Sequence, residues 1–506
     1  MGKTSIEWTR GEDGSEGKTW NPTRGCSRVS PGCVHCYAER IAARFSQAPD
    51  YEPPGDGDLF GKIQKAGKFN GFVRIANGHP QWTGKVELIE SKLMEPLHWC
   101  KPCRIFVNSM SDLFHEALPD EAIDRIFAVM ALCPQHTFQV LTKRPGRMLT
   151  YCSEVRTPFR IAKQMDVVSV AQEMTHVTEE IRPIESYPGY FISNLGFVLS
   201  SHGSSECLYC GKPVDGIATK SYCSKQCKQN ACYHRRVGHE PRFAGKLVRM
   251  SPDEGDQGHQ RVMLYKDGVQ YRELVHRLVL TAFDRPAVAE EQGCHRDGNA
   301  TNNHIANLRW GTQGDNWEDS KRHGNHRRYS KLTESDVSEI RRRHSRGETG
   351  EALAHHFGVS ATQVRNIARG RQGNMDAPIE WPLVNCWAGC SVEDQARKDR
   401  IDVLRETPAA IRFLSIEPLL EDIGELDLRG ISQVIVGGES GPGARPFHWE
   451  WAEAVRDQCR TAGTSFFMKQ GGSNCFDGED PWIMSDSKGG HIEDFPSNLR
   501  VREFPA

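Results

Sequence analysis

The feature that most constrains this chain is an alternation that stops and later resumes. From Lys101 onward short apolar runs alternate with helical patterns. Residues 104–108 read as a buried strand, and 137–142 as another. Between them Leu118-Pro119-Asp120-Glu121 opens a helix that runs to Ala131, with proline and acids in its first turn. The same texture returns after Pro382, with strands expected at 386–391, 411–417, 433–437 and 465–469, and helices at 392–406 and 449–462. Alternation of this kind argues for parallel β/α units. From about 174 to 376 the texture changes to charged, Asn, His and Gly residues with short β-like pieces. An α/β pattern that breaks off and resumes indicates one domain inserted in an exposed loop of another.

The chain has 506 residues, which at about 150 per domain suggests about three domains. No apolar run reaches the roughly 18 residues a membrane helix needs, and Met1 to Trp8 lacks the apolar core of a signal peptide. The expected location is the cytoplasm. There, seventeen cysteines argue against a disulfide framework and for metal binding by the two tight clusters, Cys26/Cys33/Cys36 and Cys207/Cys210/Cys223/Cys227. The net charge of −2 hides a basic block. It includes Lys321, Arg322, Arg327, Arg328, Lys331, Arg341, Arg342, Arg343, Arg365, Arg369 and Arg371, and it points to a polyanion partner.

In the middle segment three motifs follow one another. The first is Val275-His276-Arg277-Leu278-Val279. The second is Gly293-Cys294-His295-Arg296-Asp297-Gly298-Asn299. The third is Ala306-Asn307-Leu308-Arg309-Trp310, followed by Asp315-Asn316. Together they closely resemble the HNH homing-endonuclease family of phages. The resemblance implies two short strands and a helix around one divalent cation. His295 matches the family's histidine, Asn307 its middle asparagine and Asn316 its helix-borne asparagine. It also implies a phage or prophage origin, with action in the bacterial host cell.

The residue types suit that chemistry. Phosphodiester hydrolysis needs a base that works near neutral pH, which imidazole supplies. Asn307 is expected to hold the His295 ring and fix its tautomer. The Asn316 amide oxygen suits a hard cation such as Mg²⁺ or Mn²⁺. One departure is Cys294, where some family members carry an acidic metal ligand. The residues 184–196, Ile184-Glu185-Ser186-Tyr187-Pro188-Gly189-Tyr190-Phe191-Ile192-Ser193-Asn194-Leu195-Gly196, look like the small module that often precedes such nucleases, a DNA-contacting β-motif.

Cys207, Cys210, Cys223 and Cys227 have the paired spacing of a tetrahedral Zn²⁺ knuckle, with Cys232 or His234 as alternative ligands. Further on, residues 332–344 read as a helix capped by Thr333. Residues 351–370 match a helix-turn-helix with Gly358 at the turn and Ser360 as cap. Leu353, Phe357, Val359, Val364 and Ile367 are expected to face inward, and Gln363, Arg365, Asn366 and Arg369 to face double-stranded DNA.

At the N-terminus Cys26, Cys33 and Cys36 have the spacing C-x6-C-x2-C. Three cysteines leave one iron of a 4Fe-4S cluster open, which resembles radical-SAM enzymes, although their first gap is shorter. The closer resemblance is to a phage and bacterial three-Cys-motif family of undetermined function. It rests also on Asn108–Phe114, Leu141–Pro145, Ser415–Leu419, Gly437–Gly441 and Phe467–Gln470. In each of these a polar group follows an expected strand. In a β/α barrel that edge builds the site, so Asp112, Lys143, Arg144, Glu417, Glu439 and Lys469 are expected at one mouth. The resemblance implies S-adenosylmethionine as the cluster's partner; a structural zinc or iron site is the alternative.

The expected fold is therefore α/β. A partial (β/α) barrel of radical-SAM type (1–173 and 377–506) is interrupted by an α+β HNH, or ββα-metal, nuclease region. That region divides into a module with the zinc knuckle (174–245), the nuclease core (246–325) and the helix-turn-helix (326–376). The expected function is site-specific, metal-dependent DNA cleavage. A radical-SAM-like enzyme carrying an inactive DNA-binding insertion is the alternative.

Overall fold

The computed structural model describes residues 4, 6–11, 14–46, 67–77, 79–174, 178–200, 246–248, 250–252, 258–323, 334–368 and 379–505. The chain forms two compact units. One combines Met1–Ile161 with Ile379–Ala506, and the other is the continuous stretch Ala162–Pro378. The sequence pattern placed the divisions at 173/174 and 376/377. The first division instead falls inside the helix Thr157–Met174. The far end of that helix is held by partners in the second unit: Asp166 meets His323 Nε2 at 3.1 Å, and Glu173 meets Arg296 at 2.7 Å.

The first unit is built on a seven-stranded, all-parallel half-barrel sheet. Its strands are Lys18–Trp20, Arg104–Val107, Thr137–Thr142, Cys386–Ser391, Ile411–Ile416, Gln433–Gly437 and Ser465–Gln470, and they pair in that order. Sheet order thus follows chain order throughout, as successive β/α crossovers of one hand produce. Strands covered on both faces need apolar residues at consecutive positions. Accordingly every residue of Cys386–Ser391 and of Gln433–Gly437 is buried. Thr137–Thr142 pairs directly with Cys386–Ser391, Phe138 opposite Cys386 and Thr142 opposite Cys390. The second unit therefore leaves the chain between two neighbouring strands without disturbing their register.

One face of the sheet packs Trp8, Phe106, Trp387, Phe413, Ile435 and Phe467 together. The expected helices at 120–131 and 449–462 are present, the second ended by Gly463 in the left-handed conformation. The helix expected at 392–406 covers only Asp399–Glu406. Glu393 and Asp394 are instead buried just beyond a strand end, where Glu393 accepts hydrogen bonds from Ser30, Lys143 and Arg400.

In the second unit Ile181–Pro183, Tyr190–Ser193, Val198–Ser200 and Lys246–Leu247 form an antiparallel sheet. The hairpin Gln260–Lys266/Val269–Leu274 turns at Asp267-Gly268, both with positive φ, the geometry a two-residue turn between twisted strands requires. The helix Val275–Phe283 follows at once and buries Val275, Val279 and Leu280 against Tyr190, Ile192, Val262, Leu264, Leu308 and Trp310. A two-stranded ribbon, Gln292–His295 with Leu308–Gly311, leads into the helix Gln313–Arg322.

Three further helices, Glu334–Ser345, Gly350–Phe357 and Ala361–Ala368, share a core of Ile340, Leu353, Ala354, Val364 and Ile367, with Phe357 and Val359 packed against it. Gly358 adopts φ 64° at the turn, and the Ser360 hydroxyl accepts from the Gln363 amide at 3.1 Å, as the sequence pattern required. Among the described residues no helix is long and apolar enough to cross a membrane.

Candidate functional site: a histidine-lined cleft

The ribbon and the helix after it form one wall of a cleft of about 1020 Å³ in the second unit, lined by His259, His276, Cys294, His295, Asn316 and His323 among others. His295 ends its strand opposite Leu308 and is buried. Its Nε2 lies 3.2 Å from Asn303 Oδ1, while Asn303 Nδ2 donates to Gln260 Oε1 at 2.7 Å. With the Asn303 amide oriented by Gln260, its carbonyl faces the ring, so the ring nitrogen that meets it carries the proton. Nδ1 is left as the basic lone pair.

The sequence reading gave this ring-holding bond to Asn307, and the structure gives it to Asn303. Asn307 is fully buried and serves the neighbouring loop. Its Nδ2 donates to Asp297 Oδ1 at 2.9 Å and to the Asn302 carbonyl at 2.7 Å, and its Oδ1 accepts from the Asp297 amide at 3.0 Å. It positions the turn that carries Asn303.

Asn316 stands on the helix Gln313–Arg322, and its amide nitrogen donates to Gln292 Oε1 at 2.5 Å. Its carbonyl oxygen is thus the atom left for a cation. Cys294 is buried, and burial pushes its thiol up to about 11, so it stays protonated at neutral pH. Nearby carboxylates are already engaged, Asp315 with Thr312 and Asp319 with Arg309. Burial also keeps His295 neutral, pushing it down to about 4, with His259 adding to the effect. It holds His276 at about 3, assisted by His295 and His259. Gly298 takes φ +70°, and a Cβ there would lie 2.7 Å from His323 Nδ1, so the turn has no room for a larger residue.

Sequence reasoning missed His259 as a site residue and used His276 only as part of a motif. No local spacing links them to His295; the hairpin, the helix and the ribbon bring them together.

Tyr187, Tyr190 and Ile192 of the 184–196 segment lie in the core of the unit. These three anchor the segment, while Glu185 and Ser186 are exposed. On the helix Ala361–Ala368, Arg365 is exposed and Gln363 half-buried. The Asn366 side chain, Arg369 and the four cysteines Cys207, Cys210, Cys223 and Cys227 lie outside the described residues.

In the first unit the six expected mouth residues do gather along the carboxyl edge of the sheet, but as ion pairs. Arg144 meets Asp112 at 2.9 Å, Lys469 pairs with Glu417, and Arg445 meets Glu439 at 2.6 Å. Lys143 pairs with Glu393, which Arg400 also reaches at 3.1 Å. Burial opposes a charge on Glu393, but these two cations outweigh it and hold its pKa below the usual range. Glu393 was missed, although it obeys the same rule of standing just after a strand.

This edge grips the cysteine loop. Arg144 donates to Cys26 Sγ at 3.8 Å and to Ser27 Oγ at 2.7 Å. Ser30 donates to Glu393 at 2.8 Å, His35 Nδ1 lies 3.0 Å from Glu439, and Tyr37 donates to the Ser109 carbonyl at 2.6 Å. Cys33 is buried and Cys26 and Cys36 half-buried. Burial raises the thiols of Cys26, to about 12, and of Cys36.

No curated protein matches the chain. One solved structure, titled "DNA binding and cleavage by the HNH homing endonuclease I-HmuI", is similar over 39% of this chain and 94% of its own, at 22% identity and a TM-score of 0.20. A likeness that slight carries no argument, and the site rests on this chain's own residues. Residues 3–189 and 295–491 match the model of the family described as "Protein of unknown function (DUF5131)". Those residues make up most of the chain, and it belongs to that family.

Proposed function

We propose that the second unit is a metal-dependent HNH endonuclease that hydrolyses phosphodiester bonds of double-stranded DNA at a specific site, as homing enzymes do. The observation that carries this reading is the setting of His295. It is a buried neutral imidazole with one nitrogen tied to Asn303 and the other left basic, on a cleft open enough for a phosphate backbone. His295 takes the proton from the attacking water. A phosphate brought beside the ring favours its protonated form and lifts its pKa back toward neutrality. A positioned general base of this kind accelerates reactions by about 10²–10⁴-fold.

Asn307 acts through the loop that carries Asn303, as a positioning residue. The Asn316 carbonyl oxygen, with backbone and phosphate oxygens, suits a hard cation, and the protonated Cys294 beside it does not. A bound Mg²⁺ or Mn²⁺ would supply charge stabilisation at the phosphate and the leaving oxygen. Arg365 and its neighbours on the last helix supply phosphate and base contacts. Cys207, Cys210, Cys223 and Cys227 would hold a structural Zn²⁺.

DNA carrying the coding sequence joined across codons 173 and 377 is the test substrate. The full chain should cut it near the junction with Mg²⁺ or Mn²⁺. Binding without cutting, with either metal, would sink the reading.

A second proposal concerns the first unit. Its three free cysteines on one loop, with Arg144 donating to Cys26, suit a cluster that leaves one iron open. A 4Fe-4S cluster on Cys26, Cys33 and Cys36 would supply an electron to S-adenosylmethionine. Iron and sulfide content after anaerobic purification tests it, and a protein free of both would refute it.

A further inference from the structure

We propose that His259, His276 and His295 form a three-nitrogen site for a borderline transition-metal ion of the Zn²⁺ kind, distinct from the oxygen-donor position at Asn316. Three separate elements deliver the rings. His259 lies just before the strand Gln260–Lys266, His276 is the second residue of the helix Val275–Phe283, and His295 ends the strand Gln292–His295. One ring nitrogen of each lies within 4.8 Å of the other two. The ring centroids are 4.8, 5.2 and 5.1 Å apart.

Among the described residues, the Nδ1 atoms of both His259 and His276 are buried without a hydrogen-bond partner. Buried polar atoms in native proteins are almost always paired, and an orphan asks for a missing partner. The outer shell is in place at His295, where Asn303 accepts from Nε2 and fixes the tautomer, the usual arrangement behind a metal-bound imidazole. Room is made as well: a Cβ at Gly293 would lie 2.4 Å from His276 Cδ2, so only glycine lets that ring into the cluster.

The donor set selects the ion. Three neutral imidazoles suit Zn²⁺, Co²⁺, Ni²⁺ or Cu²⁺ and discriminate against Mg²⁺ and Ca²⁺. Tetrahedral binding at about 2.0–2.1 Å sets the nitrogens about 3.3 Å apart, so the rings close in on the ion from a spacing of at most 4.8 Å. The fourth position opens on the cleft, for water or a phosphate oxygen. Binding here does not depend on the nuclease reading. If that reading holds, the ion takes the lone pair that would otherwise accept the proton from water, and Zn²⁺ opposes Mg²⁺-dependent cleavage.

The test is a Co²⁺ titration of the full chain after chelator treatment, under reducing conditions. Thiolate sites show sulfur-to-cobalt charge transfer, whereas an all-imidazole site gives weak visible d–d bands alone. The expected result is one equivalent of Co²⁺ bound without a charge-transfer band and displaced by Zn²⁺. His276→Gln and His259→Gln should each weaken that equivalent at least tenfold, with the far-UV circular dichroism of each variant checked. The ring of His259 is only half-buried, so its variant keeps the test open if His276→Gln does not fold.

The proposal is overturned if the wild-type chain binds no Co²⁺ beyond the thiolate-type equivalents, or if folded variants keep this equivalent at full affinity. A chain that binds the ion but never cuts DNA would sink the nuclease reading and leave this site standing.

Discussion

The carboxyl edge of the half-barrel and the histidine cleft both gather chemistry-bearing side chains, and they treat them in opposite ways. At the sheet edge every group singled out from the sequence has an ionic partner in the same unit, Asp112 with Arg144 and Glu417 with Lys469. In the cleft, among the described residues, His259 and His276 keep buried nitrogens without partners, and His295 is tied at one nitrogen only. A closed network of charges holds a loop in place and resists change. A set of unpaired nitrogens beside open space is left for a proton, an ion or a substrate. Convergence of polar residues is therefore a weaker sign of chemistry than convergence with valences left over.

The comparison breaks or sharpens under mutation. His295→Ala should lower Mg²⁺-dependent cleavage at least 10²-fold while leaving thermal unfolding of the first unit unchanged. Cleavage at the wild-type rate would end the distinction. Glu393→Gln should do the reverse. It leaves Lys143 and Arg400 without their carboxylate, and breaking a buried pair costs about 3–5 kcal/mol. Urea unfolding of the first unit should shift accordingly, and an unmoved midpoint would show that the edge is not structural.

Acid should find the cleft first. In the presence of a chelator, His276 and His295 titrate at about 3 and about 4 when folded, against 6.5 as the ordinary value. Between those limits the unfolded chain binds more protons. Stability from the neutral rings is therefore complete above pH 6.5 and is lost as pH falls toward 4. For His295 alone the loss is on the order of 3 kcal/mol. Circular dichroism during acid titration, with and without His276→Gln, checks the sign; stability that rises below pH 6 would contradict it. The smallest effect is expected at Arg365→Ala. It should weaken DNA binding evenly across sequences and reduce the salt slope by about one, measured by anisotropy at several salt concentrations.

How legible each region was follows from the range of the forces that make it. Strands such as Gln433–Gly437 could be read because a two-sided parallel sheet demands unbroken apolar runs. Lys18–Trp20 could not, since three residues carry no period. Glu393 was hidden inside an expected helix, because nothing local says that its carboxylate will be drawn to Lys143 and Arg400. In the cleft His295 and Asn316 stood out by motif. The choice between Asn303 and Asn307 did not, because both lie in one Asn-rich turn and only the ribbon's register, His295 opposite Leu308, decides which reaches the ring. His259 reaches the site through tertiary packing alone.

The most direct measurement compares two full-length variants on the junction DNA with Mg²⁺: His295→Ala and the triple variant Cys26→Ser/Cys33→Ser/Cys36→Ser. If the cleft is the working site for DNA, the triple variant cuts as wild type does and His295→Ala does not. Cutting by His295→Ala, or its loss only in the triple variant, would contradict that assignment.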